Sequence, residues 1–188
     1  MERQSVGLRR LMDFVETLPE AVVLDLGGAS QASIDHLAGP SRRLYAEDAL
    51  RSLAEAVERN QGADDYLTAN IKYPAGTFDA ALCWNLFGCA PAVFLAPLSD
   101  RLHEILRPGG RALALLPASI ASARRPAVRY EILGPGLVRQ RDAATPFKEE
   151  RLLTRREIDK LFDRGFDVTD IFTADAFHEL LLVRRTGR

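Results

Sequence analysis

Residues 21–30, Ala21-Val22-Val23-Leu24-Asp25-Leu26-Gly27-Gly28-Ala29-Ser30, set a carboxylate between a short apolar run and a pair of glycines. Such a set can hold a ligand that carries a cationic amino group. Asp25 would accept hydrogen bonds from an ammonium, directly or through water. Gly27 and Gly28 let the chain turn where a side chain would block a ligand's approach. From Ser30 a helix would start, its free N–H groups facing whatever lies over the turn. A dinucleotide site would instead need G-x-G-x-x-G, with its acid about twenty residues downstream. Here the acid precedes the glycines and would repel a pyrophosphate. The same residues also suit a tight strand-to-helix connection that binds nothing.

The elements that must position this turn alternate along the chain. Ser5 caps a helix with the stripe Leu8, Leu11, Met12 and Val15, ended near Pro19. Val22, Val23 and Leu24 form the first strand, buried on both faces. A helix follows through Ile34 and Leu37, closed by Gly39-Pro40, and 43–47 gives a second strand. Leu50, Leu53, Ala54 and Val57 mark one helix face. A weaker third strand is expected at 66–71, and a clear fourth at 78–84. Leu98, Leu102, Ile105 and Leu106 trace the next helix, which Arg107-Pro108-Gly109-Gly110 stops before a fifth strand at 111–116. Thr154-x-x-Glu157 is a capping box ahead of Ile158, Leu161 and Phe162. Strands at 168–173 and 179–184 close the chain. Alternating units imply a mostly parallel sheet covered on both faces, with one antiparallel edge strand from the final hairpin.

Leu24-Asp25-Leu26-Gly27-Gly28-Ala29-Ser30 resembles motif I of the class I S-adenosylmethionine-dependent methyltransferases, in its Asp-x-Gly-Gly form. Ala29 and Gln31 stand where that family usually has further glycines. The strand order is similar to the family's over essentially the whole chain. The resemblance implies an α/β, doubly wound, mostly parallel seven-stranded sheet with helices on both faces, the Rossmann-like methyltransferase fold, over a single domain 1–188. It implies S-adenosylmethionine as cofactor and S-adenosylhomocysteine as product. Asp25, Gly27, Gly28 and Ala29 would then hold the cofactor's amino-acid tail. Glu47, with Asp48 as the alternate, would accept its two ribose hydroxyls; either acid also suits a helix N-terminus.

Asn70-Ile71-Lys72-Tyr73-Pro74 and Phe78-Asp79 resemble the family's approach to motif IV. On that likeness Asn70 accepts from the adenine amino group and Ile71 walls the ring; an ordinary loop asparagine bonded to backbone reads as well. Cys83-Trp84-Asn85 ends the fourth strand, where an open α/β sheet presents its site. Trp84 could wall the cationic sulfonium, or simply pack the core. Cys83 lines the same region as a small buried hydrophobe, and Asn85 could orient the acceptor. Segment 118–151 would carry substrate choice as a lid or ordered loop, with Tyr130 closing over the acceptor. Its seven basic residues (Arg124, Arg125, Arg129, Arg139, Arg141, Lys148, Arg151) are interleaved with four acids (Glu131, Asp142, Glu149, Glu150), which suits an anionic acceptor or a plain solvated face.

Composition sets the remaining expectations. A chain of 188 residues, 47% hydrophobic, can bury one sizeable core. Net charge is −1, so no global basic field draws it to nucleic acid or membrane; the 22 Arg against three Lys look like compositional bias. No run reaches membrane-spanning length and the N-terminus lacks a signal-peptide core, so a cytoplasmic setting is expected. Cys83 and Cys89 make no zinc spacing, and His36, His103 and His178 make no metal pair, so no metal is expected. His103 is expected on a solvent face. No Ser-His-Asp set, Cys-His pair or P-loop is present. Methyl transfer from a sulfonium is an in-line displacement in which proximity can carry most of the work, so no catalytic residue is assigned. The expected function is methyl transfer to a small-molecule acceptor. The alternatives are a catalytically inactive methyltransferase-like binding or scaffold domain, and a nicotinamide-linked oxidoreductase.

Overall fold

A computed structural model describes residues 2–141, 147, 150–172 and 177–187. The elements run β1 (Glu2–Gln4), α1 (Val6–Glu16), β2 (Ala21–Asp25), α2 (Gln31–Leu37), β3 (Arg42–Ala46), α3 (Ala49–Glu58) and α4 (Ala63–Asn70). There follow β4 (Phe78–Trp84), α5 (Leu86–Cys89), α6 (Ala92–Ile105), β5 (Leu106–Pro117), α7 (Ile120–Ala123), β6 (Arg129–Gly134) and β7 (Leu137–Arg141). The chain closes with α8 (Arg155–Phe162), β8 (Phe166–Phe172) and β9 (Phe177–Arg184).

Six strands form the main sheet in the order β3-β2-β4-β5-β9-β8. β2 lies parallel to β3 and β4, and β4 parallel to β5. β9 runs antiparallel to β5 and β8, so the reversed strand is internal rather than at the edge. The expected seventh strand is missing among the described residues because 66–70 lie in α4, with Ile71 as its C-cap. Tyr66 and Leu67 turn inward from α4, and Tyr66 donates to Ala49 O on α3. A helix anchored in this way leaves β3 as the sheet's edge.

Strand alternation divides the core between two faces. Ala81, Cys83, Ala112, Ala114, Leu180 and Leu182 meet α3, α4, α6 and α8 on one face. Ala80, Leu82, Trp84, Leu113, Leu115 and Leu181 meet α1 on the other. That second face has an additional cover. The 118–151 segment, expected to lack regular structure, holds α7 and the β6–β7 hairpin, and β1 pairs with β7 to make a small antiparallel sheet. Tyr130, Ile132 and Val138 of the hairpin pack into this core beside Trp84. Ser5 ties the hairpin down: its N–H donates to Gly136 O at 2.7 Å while its Oγ caps α1. Asp142, Lys148 and Glu149 of the segment lie outside the described residues.

Candidate functional site

The carboxyl ends of β2 and β4 meet beneath the hairpin. Asp25 ends β2 on the same face as Trp84 and is 2% exposed. Its Oδ1 accepts from Gly27 N–H at 2.9 Å and from Trp84 Nε1–H at 2.7 Å. Burial outweighs both hydrogen bonds and pushes its pKa up to about 6. Gly28 sits at φ +86, a conformation that favours glycine, and donates its N–H to Glu47 O.

The space over this turn is filled by the protein itself. A Cβ on Gly27 would stand 2.5 Å from Trp84 Cδ1, so the indole rests directly on the glycine backbone. Trp84 is held there by the Asp25 bond and by Tyr130, whose ring stacks on it with centroids 5.2 Å apart and planes 8° from parallel. Its backbone has φ +48, an unusual and costly conformation for a bulky residue. Arg129 closes the other side of the turn, donating to Gly27 O at 3.1 Å and to Asp48 Oδ2 at 2.7 Å. Gln31, the largest departure from motif I, does not intrude. It is exposed, and its Nε2 donates to Asp35 on its own helix. Ala29 is likewise exposed.

The other residues singled out in the sequence fall into two groups. Glu47 and Asp48 follow β3, beside the turn, with Asp48 capping α3 through Arg51 N–H. Glu47 accepts from the Tyr73 hydroxyl, whose pKa rises through burial and through this acid. Asn70 turns its Nδ2 back onto Tyr66 O at 2.9 Å. Ile71 and Cys83 come together on the opposite face of the sheet from Trp84, where with Leu26, Leu86 and Phe87 they line an apolar void of about 10 Å³. That holds one water at most, not a purine ring. Burial pushes the Cys83 thiol up to about 12, so it is inert.

Below Trp84 lies a buried polar cluster. Asn85 is 1% exposed; its Nδ2 donates to Val128 O at 3.2 Å and to Glu150 Oε1 at 3.1 Å. Tyr130 carries a hydroxyl within electrostatic reach of Glu150, Arg3 and Cys89, and burial raises its pKa. Arg3 and Glu179 form a buried ion pair at 3.0 Å, and Glu179 also accepts from Gly7 N–H at 2.6 Å. Arg3 and Glu179 carry no motif in the sequence. Of these only Glu179 left a sign, an acid in the apolar strand Phe177–Arg184. Arg129 and Glu150 read in the sequence only as charges of segment 118–151. His103 is half-buried, not wholly on a solvent face; its ring meets Phe166 edge-on at 5.6 Å and packs against Gly165. Among the described residues no cluster of metal-ligating side chains occurs, and no helix is long and apolar enough to cross a membrane.

No protein-family profile and no curated protein matches this sequence. Solved structures do. The YcgJ protein from Bacillus subtilis is 14% identical with a TM-score of 0.57, over 96% of this chain and 99% of that one. The CurJ carbon methyltransferase is also 14% identical at a TM-score of 0.57; the match covers 94% of this chain but 52% of CurJ. The glycopeptide N-methyltransferase MtfA, solved with S-adenosylhomocysteine, is 17% identical at a TM-score of 0.52, over 97% of this chain and 92% of its own. At these identities the likeness is one of architecture: the chain has the class I methyltransferase fold.

Proposed function

We propose that this protein binds S-adenosylmethionine at the Asp25–Gly28 turn and transfers its methyl group to a small-molecule acceptor. One observation carries the reading. A buried carboxylate ends the strand that leads into a side-chain-free turn, on the fold in which neighbours such as MtfA bind the demethylated product. The donor set suits the cofactor: Asp25 for the ammonium, the Gly27–Gly28 backbone for the tail, Glu47 for the ribose. When bound, the cofactor supplies an electrophilic methyl group. The chain's part is to bind and orient it and to keep water out. Space for the tail opens only when the Trp84 indole leaves Gly27 and Arg129 releases Gly27 O, so entry requires the hairpin to lift. The occupied turn is also the observation that favours a second reading, a methyltransferase-fold binding domain that uses no cofactor.

Calorimetry with S-adenosylhomocysteine separates the two. The wild type should bind weakly. Trp84→Gly empties the turn, suits the positive φ, and should bind about tenfold or more tighter, since displacing a buried indole costs a few kcal/mol. Asp25→Ala in that background should remove binding. If no variant binds at millimolar ligand, methyl transfer is ruled out and the binding-domain reading stands.

A further inference from the structure

At the amino end of the sheet, opposite the glycine turn, lies an open cavity of about 290 Å³. Arg42 and Arg43 at the start of β3, Arg107 near the start of β5, Glu20 and the first residues of β2 line it. We propose that this cavity is a binding site for the phosphate or pyrophosphate group of a small molecule. The register of the sheet builds it. Arg42 pairs with Ala21 and Arg43 with Val22, so two successive arginines flank the start of β2 from its two faces. Asp79 Oδ2 accepts both from Val22 N–H and from Arg107, which brings the third guanidinium to Val22 from the side of β4.

Two of the three cations are held in place and still have N–H groups to give. Arg42 donates through Nη1 to His36 O at 3.3 Å, which leaves Nε and Nη2. Arg107 donates through Nη1 to both Asp79 oxygens and through Nε to Gly76 O, which leaves Nη2. Arg43 is exposed, and its guanidinium has no hydrogen bond or ion pair among the described residues. Glu20 lines the same cavity, yet no ion pair among the described residues joins it to any of the three. With Glu20 and Asp79 set against three arginines, the cavity keeps a positive charge. Water can accept from these N–H groups but brings no charge to offset the repulsion between guanidinium groups; an anion does both. A carboxylate has two oxygens in one plane and suits one guanidinium fork. Phosphate has oxygens in several directions and matches cations arriving from both sides of β2. The space equals that of about ten water molecules at ~30 Å³ each, enough for a diphosphate. Asp25 stands four residues along β2 from Ala21, roughly 13 Å away at ~3.3 Å per residue, so the site does not depend on the methyl-transfer reading.

The test titrates the full chain by calorimetry with pyrophosphate and, at matched ionic strength, with acetate. Pyrophosphate should bind at least about tenfold tighter than acetate. Arg42→Gln and Arg43→Gln should each weaken pyrophosphate about tenfold to a hundredfold, the effect of losing a charge-assisted hydrogen bond. Arg51→Gln, at an exposed position of α3, should leave it unchanged. Pyrophosphate binding no tighter than acetate, or losses in both cavity variants no larger than in Arg51→Gln, would overturn the site. A single-stranded oligonucleotide that binds where pyrophosphate does not would overturn it as well, by marking a surface for a polyanionic strand instead.

Discussion

The two ends of the central strand treat buried carboxylates in opposite ways. At the foot of β4, Asp79 Oδ2 accepts from Val22 N–H at 2.8 Å, and Arg107 Nη1 lies 2.8 and 2.9 Å from its two oxygens. That carboxylate joins β2, β4 and the start of β5, and its oxygens are well supplied. At the carboxyl end, burial raises the pKa of Asp25 and Glu150, and one Glu150 oxygen has no partner. The same chemical group is a structural joint at one end and an unmet demand at the other. Folds tolerate such local disagreement where function requires it.

Four measurements would break or sharpen this contrast. Asp79→Ala leaves the Val22 N–H and the Arg107 guanidinium without their acceptor and should lower unfolding stability by about 2–4 kcal/mol in denaturant titration. Asp25→Asn should alter the pH dependence. The folded-state pKa of Asp25 is raised from 3.8 to about 6, so its contribution favours the fold at low pH and is lost as pH rises across that window. Wild-type stability relative to Asp25→Asn should therefore fall between pH 4 and 7, by at most about 3 kcal/mol. Glu150→Leu at pH 8 removes a carboxylate whose burial raises its pKa to about 7, together with its Asn85 hydrogen bond, and should be neutral or gain about 1 kcal/mol; a loss above 2 kcal/mol would place Glu150 with Asp79. Arg51→Ala breaks an exposed pair with Glu55 and should stay within about 0.5 kcal/mol, which sets the baseline.

Much of the architecture could be read from periodicity. The helix stripe Leu8, Leu11, Met12 and Val15 and the apolar β4 each follow a rule local to their own segment. Residues 66–71 did not follow such a rule. Tyr66 and Thr68 carry strand propensity, but the burial of Tyr66 against α3 is tertiary and overrides it. The hairpin was hidden for a similar reason, since β7 is completed by Glu2–Gln4, which lies over 130 residues away in sequence. At the site, Asp25 and the glycines were legible because a tight turn has its own residue types. Their neighbours Arg129, Tyr130 and Glu150 arrive through long-range packing, and no spacing encodes that. The turn is filled by Trp84 and not by Gln31, because strand alternation sends residue 84 onto the same face as Asp25.

The indole on Gly27 belongs to the chain's only tryptophan. Its emission therefore comes from one place, and that place is the turn. Sealed from water and stacked on Tyr130, it should emit toward the blue. Lifted away to admit a guest, it should shift to the red and become open to collisional quenchers such as acrylamide. The molecule thus carries its own optical gauge of whether the turn is shut, with no label to attach.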